Sequence, residues 1–280
     1  MSWVEISGTI QDCIGCFPAA MCQTGVQLKT MEYLEVAEAK DLPGLRLALT
    51  AGVPGPWSES AKALFRHHQV PFHPVRQTGG GENPELVAWT GHRNAPVAVY
   101  ENEAPRVRWL ELLDLAERLG KGASLYPQQR EDRIEMVGLV NEIAGERGLA
   151  WNARLFMLDA SYQAQGEKAY RNPMLNDYGY TPDAVAAAKQ EVADLLGWLA
   201  DRMRSRGSHY LVADKFTAAD IYWAYFSNLV QPQAHEVNPM PGFLRKSYSL
   251  AAELLGEPDP VLIEARDWVF EHHLELPLDF

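Results

Sequence analysis

The sequence is poor in cysteine, and its three cysteines all lie close to the N-terminus. They are Cys13, Cys16 and Cys22 in a chain of 280 residues. So few thiols argue against a secreted scaffold built on disulfides and favour a cytoplasmic protein. The CIGC motif has the spacing of a redox pair or of half a zinc site, but no second pair and no nearby histidine pair accompanies it. We interpret the motif as incidental and predict that the protein holds no metal.

The sequence also lacks long apolar runs and an excess of positive charge. No stretch of about 18 consecutive apolar residues occurs, so no membrane-spanning helix is predicted. The N-terminus lacks the basic region and apolar run of a secretory signal. Asp and Glu number 37 against 25 Lys and Arg, which gives a net charge of −12. Because phosphate binding needs cationic surface, we expect neither a nucleic-acid nor a membrane partner.

What the chain has in quantity is apolar sequence, 47% of its residues, which is enough for a sizeable core. Between residues 45 and 120 the pattern alternates between strand and helix. Strands are predicted at 45–50, at 70–77 and at 97–100, the second as an edge strand because Pro74 cannot donate to a ladder. An amphipathic helix is predicted at 106–120, ending at Gly120.

After residue 122 the strand patterns stop, and the rest of the chain is predicted to be helical. The clearest helix covers 181–206, with Thr181 as its cap and Pro182 in its first turn. The segments at 126–146 and 148–163 are predicted as helix, continuous with a bend. We therefore divide the chain into an extension at 1–40, an α/β domain at 41–122 and an all-helical domain at 123–280. Met31 is an alternative start to Met1, in which case residues 1–30 are not native.

The third strand begins unusually, because Pro96 stands directly before its apolar residues, Val97 to Tyr100. Proline lacks a backbone N–H, and an X–Pro bond can be fixed in the cis form at a cost of only about 0.5–1 kcal/mol. The N–H and C=O of Ala95 would then be free to pair with an extended, peptide-like ligand. The alternative is an ordinary edge-strand proline.

Two motifs resemble those of the cytosolic glutathione transferases. YLVADKFTAADIYWAY at 210–225 resembles their signature, in which Thr217 caps a helix and Asp220 is its third residue. NPELVAWTGHRNAPVAVY at 83–100 resembles the segment that holds their cis-proline, placed here at Pro96. The resemblance covers about residues 45–275 and assigns no class. It implies a thioredoxin-like N-terminal domain, a C-terminal α-helical bundle domain and a homodimer.

The resemblance implies an enzyme that binds glutathione and directs its thiolate at a small hydrophobic electrophile, as in detoxification. Such enzymes place Ser, Tyr or Cys in the first strand–helix turn, but that position here is Gly55. Ser58 is our predicted thiolate stabiliser, and the alternative is that it only caps the helix. Trp57 is predicted to wall the site, and the alternative is that it is a tryptophan packed within the turn. Reduction is disfavoured because the turn lacks cysteine, whereas isomerisation stays open.

The remaining glutathione-binding residues are predicted from the same resemblance. Asn94, Ala95 and Pro96 would pair with the tripeptide. The family's Glu/Gln-Ser pair before the third helix falls here on Pro105 and Arg106. Arg106 would bind a carboxylate by its fork, and Glu103 would supply the missing acid. Either the tripeptide lies differently, or the ligand is another anion, or the site is vestigial.

The acceptor pocket is predicted on the helix that contains GLAWNARLFML. Trp151, Asn152 and Arg154 interrupt its apolar pattern, and the family lines the pocket with this helix. They could orient a second substrate, or they could form an ion pair inside the protein. Gly55 and the Pro105–Arg106 pair also suit an alternative function, that of a non-catalytic ligand- or partner-binding module on the same scaffold.

Overall fold

The structure is a computed structural model that describes residues 29–280. The three cysteines lie outside the described residues. Within residues 29–280, no three His, Cys, Asp or Glu side chains form a group that could hold a metal ion. No helix of the same part of the chain is both long and apolar enough to cross a membrane.

The first domain is organised around a three-stranded sheet. Its strands are β1 (Leu45–Thr50), β2 (Phe72–Gln77) and β3 (Val97–Tyr100), in the order β2-β1-β3. β1 runs parallel to β2 and antiparallel to β3. β1 is buried almost throughout because both faces of the sheet are covered, which explains its continuous apolar run. β2 lies at an edge, as Pro74 predicted.

Four helices cover the sheet: α1 (Val36–Ala39), α2 (Pro56–His67), α3 (Pro84–Thr90) and α4 (Trp109–Leu119). One face carries a small core with α1 and α3, and the other face joins the main core of the protein. Residues within the predicted 1–40 extension pack onto this domain. The N–H of Leu34 donates to the carbonyl of Pro74, and the N–H of Arg76 donates to Leu34, which widens the sheet at β2.

The second half of the described chain is helical, as predicted. Its helices are α5 (Arg130–Ala144), α6 (Leu149–Gln165), α7 (Met174–Asp177), α8 (Pro182–Arg206), α9 (Ala218–Phe226), α10 (Gly242–Tyr248), α11 (Leu250–Leu255) and α12 (Pro260–His273). The cap predicted for α8 is confirmed, since the Thr181 hydroxyl accepts from the N–H of Ala184 at 3.0 Å.

The prediction of one bent helix over α5 and α6 is wrong, because the chain breaks between them. Gly145 ends α5, and Arg147 adopts a φ of +66°. A Cβ on Gly148 would lie 2.4 Å from the carbonyl oxygen of Glu142. Only glycine permits this close approach, so the two helices turn sharply instead of bending.

Helix α9 joins the two halves, and all nine of its residues are buried. The carboxylate of Asp220 accepts from the N–H of Thr217 and the N–H of Leu211, both at 2.8 Å. Phe226 meets the ring of Trp57 edge-on, with centroids 5.1 Å apart. Each large apolar side chain buried here contributes about 1.5–3 kcal/mol. The signature helix is therefore the structural link between the domains.

The end of the described chain packs against the middle of α2 through a cluster of charges. The ammonium of Lys62, which is 1% exposed, lies 2.9 Å from the Glu59 carboxylate and 3.0 Å from that of Asp279. It also donates to the main-chain carbonyl of Asp279. The guanidinium of Arg66 lies 2.7 Å from the same carboxylate. We call these four residues, Glu59, Lys62, Arg66 and Asp279, the α2 charge cluster.

Candidate functional site

The loop before β3 presents unpaired main-chain groups. The Ala95–Pro96 peptide bond is cis, as the sequence suggested. Ala95 is half-buried and Asn94 is exposed. Among residues 29–280, none hydrogen-bonds to the N–H or the C=O of Ala95. These two groups are therefore free for a ligand that approaches in an extended conformation.

A hydrogen-bond network holds this loop in place. The side-chain amide of buried Gln77 donates to the main-chain carbonyl of Arg93 at 3.2 Å. The side-chain oxygen of Gln77 accepts from the hydroxyl of Thr50 at 2.8 Å. The amide of Asn83 donates to the same Arg93 carbonyl at 3.2 Å. The ends of β1 and β2 thus fix the position of the chain two residues before Ala95.

The turn between β1 and α2 brings the start of a helix near this region. Gly55 is the N-cap and Pro56 the first helical residue. Ser58 is therefore the third residue of α2 and not its cap, so the capping alternative is wrong. It is 3% exposed, and its hydroxyl accepts from the N–H of Thr50 at 3.1 Å. Among the described residues its own hydroxyl proton has no acceptor.

Trp57 is fixed at the domain interface. Its indole N–H donates to the carbonyl of Ala144 at 3.0 Å, and its ring packs on Phe226. The guanidinium carbon of Arg154 lies 5.9 Å from the centre of this ring. Both the indole N–H and the ring of Trp57 are therefore engaged by neighbouring parts of the chain.

The predicted pair Glu103 and Arg106 is occupied internally. The guanidinium groups of Arg106 and Arg118 each lie 2.6 Å from the Glu103 carboxylate. Hydrogen bonds from Arg118 and then from Arg106 lower the pKa of Glu103 below its ordinary value, although desolvation opposes them. Glu103 is therefore paired within the chain with two arginines, and Arg106 already has a carboxylate partner.

The helix predicted from residue 106 begins three residues later, at Trp109. The residue directly before the helix is therefore Arg108 and not Arg106. Arg106 instead pairs with Ala98 through two main-chain hydrogen bonds of 2.9 Å. Continuing this antiparallel register by two residues places Arg108 opposite Pro96. Pro105 and Arg106 therefore do not occupy the position next to the cis-proline.

Arg108 is a residue that the sequence reasoning missed. It is exposed, and within the described chain its side chain has no ion pair or hydrogen bond. Its N–H and that of Val107 donate to the carboxylate of Glu111, at 3.1 and 3.2 Å. An acidic side chain three residues after the cap was the available signal for this helix start.

The three predicted acceptor-pocket residues lie on the first turns of α6 and do different things. Asn152 donates to the carbonyl of Arg147 at 2.8 Å and stabilises the turn before the helix. Trp151 packs against the ring of Tyr178, with centroids 4.4 Å apart. Arg154 lies between the rings of Trp57 and Tyr248. The ion pair considered for Arg154 is not formed with any residue from 29 to 280.

Tyr248 and Tyr178 complete the cluster and were not predicted from the sequence. The hydroxyl of Tyr248 donates to the carbonyl of Pro54 at 3.3 Å, next to the N-cap of α2. Burial raises the pKa of the Tyr248 phenol, against the opposing effect of Arg154, so the phenol is neutral at pH 7. Residues this distant in sequence carry no local signal of such a contact.

A salt bridge connects this cluster to the loop before β3. Arg93, two residues before Ala95, pairs with Asp177, which directly precedes Tyr178. The structure therefore brings Asn94, Ala95 and Pro96 into one region with the start of α2 and with Arg154, and it leaves Glu103 and Arg106 outside.

Of two open grooves on the described surface, one lies away from this region and the other borders it at Arg93. One is lined by Met31, Arg66, Gln69, Val70, Pro71, Phe72, Pro74 and Glu275. The other is lined by Glu82, Pro84, Val87, Ala88, Gly91 and Arg93. Neither includes Ala95 or Arg154. We assign the candidate site from its unpaired polar groups, because a shallow groove alone indicates no chemistry.

No protein-family model matches the chain, and no curated protein matches it significantly. Solved structures do resemble it. A glutathione S-transferase from Methylobacillus flagellatus KT with glutathione bound is 11% identical, with a TM-score of 0.59 over 81% of this chain and 95% of that chain. A glutathione transferase from Pseudomonas putida, with one glutathione disulfide bound per subunit, is 16% identical, with a TM-score of 0.57 over 86% and 94%.

A β-etherase from Sphingobium sp. strain SYK-6 is also similar, at 14% identity and a TM-score of 0.54 over 80% of this chain and 99% of that chain. These likenesses cover both the sheet domain and the helical domain. They confirm the fold expected from the sequence motifs. The chain has the fold of the glutathione transferases, with a thioredoxin-like N-terminal domain and a helical C-terminal domain.

Proposed function

We propose that the protein binds glutathione at the loop before β3 and directs its thiolate at a small hydrophobic electrophile. The observation that carries the proposal is the open N–H and C=O of Ala95, in a fold shared with solved structures that hold glutathione. An extended tripeptide would pair with these groups as a short added strand does. Asn94 and Pro96 would flank it on either side.

In this proposal the start of α2 stabilises the thiolate. A free thiol has a pKa of about 8.5, and the positive end of a helix lowers it. The N–H groups of Trp57 and Ser58 belong to the first turn, where no helical carbonyl is available to them. Ser58 would add its unpartnered hydroxyl proton. The sulfur then forms a bond to the electrophilic carbon, the leaving group departs with the bonding electrons, and the thiol proton passes to solvent.

Arg108 replaces Arg106 as the proposed partner of a glutathione carboxylate. Its register position opposite Pro96 and its free side chain support this choice. Calorimetric titration with reduced glutathione tests it. We expect Arg108→Met to weaken binding about 10-fold, as the loss of a hydrogen bond to a charged group does. Arg130→Met, an exposed arginine at the start of α5, is the matched control. Equal affinities for the two variants would remove Arg108 from the site.

The catalytic role of Ser58 is tested with a conjugation assay. Turnover of 1-chloro-2,4-dinitrobenzene with glutathione is followed by absorbance. We expect Ser58→Ala to lower kcat about 10-fold or more, because a donor to the thiolate is lost. Ser60→Ala is the control, since Ser60 is equally buried on α2 but donates to the carbonyl of Trp57. A Ser58→Ala rate equal to that of the control would show that the main-chain N–H groups act alone.

The second candidate function is a non-catalytic module that binds a ligand or a partner. Gly55 favours it, because the position that carries the reactive side chain in the resembling family has none here. Heat on titration with glutathione, combined with no turnover of aryl halides, would support this module. No heat and no turnover would reject glutathione as the ligand.

We further propose that the protein is a cytoplasmic homodimer that acts in detoxification. The dimer and the detoxification role are what the resemblance implies, and the small number of cysteines supports the cytoplasmic location. Light scattering coupled to size exclusion measures the assembly directly: a mass near twice 31.3 kDa is expected, and a mass near 31.3 kDa would contradict the dimer.

A further inference from the structure

Arg154 differs from the other arginines that lie within the described fold. Buried Arg46 donates to three main-chain carbonyls, and buried Arg266 donates to a carbonyl and to the carboxylate of Asp267. For Arg154 the contact found is from one terminal nitrogen to the Met157 sulfur, at 3.4 Å. Its Nε is buried without a partner among the described residues, as is the Nε of Arg46, so the difference lies in what the terminal nitrogens meet. Its remaining polar contacts are to the phenols of Tyr248 and Tyr178, so a guanidinium with five N–H donors meets no carboxylate of the described residues.

The surroundings of Arg154 are aromatic and uncharged. Its guanidinium carbon lies 5.9 Å from the Trp57 ring centre and 5.8 Å from that of Tyr248. Burial acts to lower the pKa of its guanidinium, but electrostatic interaction and hydrogen bonding with the phenols of Tyr248 and Tyr178 outweigh burial and raise it. No carboxylate of the described chain forms an ion pair with the cation. Ring faces attract a cation without accepting its N–H donors, and a phenol oxygen can accept only some of the five.

The location of Arg154 links it to the proposed chemistry. Tyr248 hydrogen-bonds to Pro54 at the start of α2, and Trp57 is the second residue of that helix. Tyr178 follows Asp177, the partner of Arg93 in the loop that leads to Ala95. The unpaired cation therefore lies between the region proposed for the thiolate and the helical domain, where the second substrate would approach.

We propose that the second substrate is a flat electrophile that carries a carboxylate, which Arg154 binds while the rings of Trp57 and Tyr248 contact its apolar part. This inference rests on the proposed function, because it names the class of acceptor used at that site. An aromatic carboxylate suits the cluster because a guanidinium fork binds a carboxylate through two parallel hydrogen bonds. The interaction is strengthened where water is excluded. A neutral electrophile would leave the cation unpaired.

Paired substrates test the proposal. 4-Chloro-3,5-dinitrobenzoate and its methyl ester undergo the same substitution and differ in charge. We expect the protein to prefer the benzoate in kcat/KM, and Arg154→Met to raise the KM of the benzoate about 10- to 100-fold. The kcat for the benzoate and the KM for the ester should each change less than about 3-fold. Equal changes in KM for both substrates would overturn the proposal.

Arg171→Met is the matched control, since Arg171 is exposed on the segment after α6 and makes no ion pair with the described residues. Arg154→Lys keeps the charge but not the two parallel donors of the guanidinium. We expect its KM for the benzoate to lie between those of the original protein and Arg154→Met. Thermal unfolding of each variant establishes that it is folded. Calorimetry with glutathione alone separates the two possible sources of the carboxylate. If Arg154→Met weakens glutathione binding as much as benzoate binding, Arg154 contacts the tripeptide and the proposal is wrong.

A binding measurement keeps the proposal separate from catalysis. Titration with unreactive 3,5-dinitrobenzoate and 1,3-dinitrobenzene needs neither glutathione nor turnover. Preference for the anion in the original protein, lost in Arg154→Met, would support the site even if no conjugation occurs, in which case only the proposed function fails. The same affinity for both compounds would overturn the site itself.

Discussion

Two groups of positive charge lie within the fold next to α2, and they differ in whether the chain supplies the counterions. In the α2 charge cluster, Lys62 and Arg66 are matched by Glu59 and Asp279 at distances of 2.7–3.0 Å. At the start of the same helix, Arg154 meets ring faces and no carboxylate of the described residues. Burial opposes the charges in both arrangements; carboxylates of the chain offset it for Lys62 and Arg66, whereas the phenols of Tyr248 and Tyr178 offset it at Arg154.

This difference teaches how to separate structural charges from ligand-binding ones. A paired cluster fixes the position of α2 against the end of the chain, so removing one of its charges should lower the free energy of unfolding. A cation without a carboxylate partner gains a counterion only on binding, so its removal should lower the affinity for the ligand. Substitutions in the two groups should therefore change different measurements, and three experiments examine that contrast.

The largest effect is expected for Lys62→Met. It leaves Glu59 and Asp279 buried with less compensation, and removing one member of a buried ion cluster costs about 3–5 kcal/mol. Urea unfolding measures this as a lower midpoint. The double variant Lys62→Met/Glu59→Leu is the control, and it should recover part of the loss because one uncompensated charge is gone. A single variant as stable as the original would contradict the structural role of the cluster.

A change of pH is expected to alter the free energy of unfolding by less than the Lys62→Met substitution does. Burial raises the pKa of Glu59 to about 7, against the attraction of Lys62. For Asp279, burial acts in the same direction, but hydrogen bonds from Arg66 and Lys62 outweigh it and lower its pKa to about 2. Between pH 4.5 and 7 the folded protein therefore binds more protons at Glu59 than the unfolded chain does, so stability falls as pH rises through this window.

Glu59→Gln removes that titration and should flatten the curve. We expect the stability of the original protein, relative to Glu59→Gln, to decrease by about 1–3 kcal/mol from pH 4.5 to 7. Urea unfolding of both proteins at several pH values gives the difference, in which other titrating groups such as Asp220 cancel. A constant difference over this range would show that Glu59 is ionised throughout.

The smallest effect on stability is expected for Arg154→Met. No carboxylate of the described chain loses a counterion, so the free energy of unfolding should change by about 1 kcal/mol at most. Arg171→Met is again the control. A loss close to that of Lys62→Met would mean that Arg154 is a structural charge, and the contrast between the two groups would disappear.

Much of the fold could be predicted because its signals are local. Apolar runs gave β1 and β3, Thr181 gave the start of α8, and the Thr217–Asp220 box gave α9. The start of α4 was misplaced because Pro105 suits a first helical turn. The competing signal, the carboxylate of Glu111 on the N–H groups of Val107 and Arg108, determines the actual start.

The candidate site was predictable only in part. Proline at the mouth of a strand is a local signal that drew attention to Ala95 and Pro96, but an ordinary edge-strand proline was the alternative until the resemblance favoured the cis bond. The surroundings of Arg154 were not, because Trp57, Tyr178 and Tyr248 come from three separate segments that only tertiary packing brings together. Whether a charge finds a partner depends on such distant contacts, so the sequence left the ion-pair alternative open.

The salt bridge between Arg93 and Asp177 has a consequence for the order of ligand binding. A ligand that immobilises Ala95 also restrains Arg93, and through Asp177 it restrains Tyr178 beside Arg154. If both proposed ligands bind, we expect the first to reduce the entropic cost of ordering the second site, so that the two binding events are cooperative without any large movement. Thermodynamic reciprocity requires the benzoate to tighten glutathione binding by the same factor.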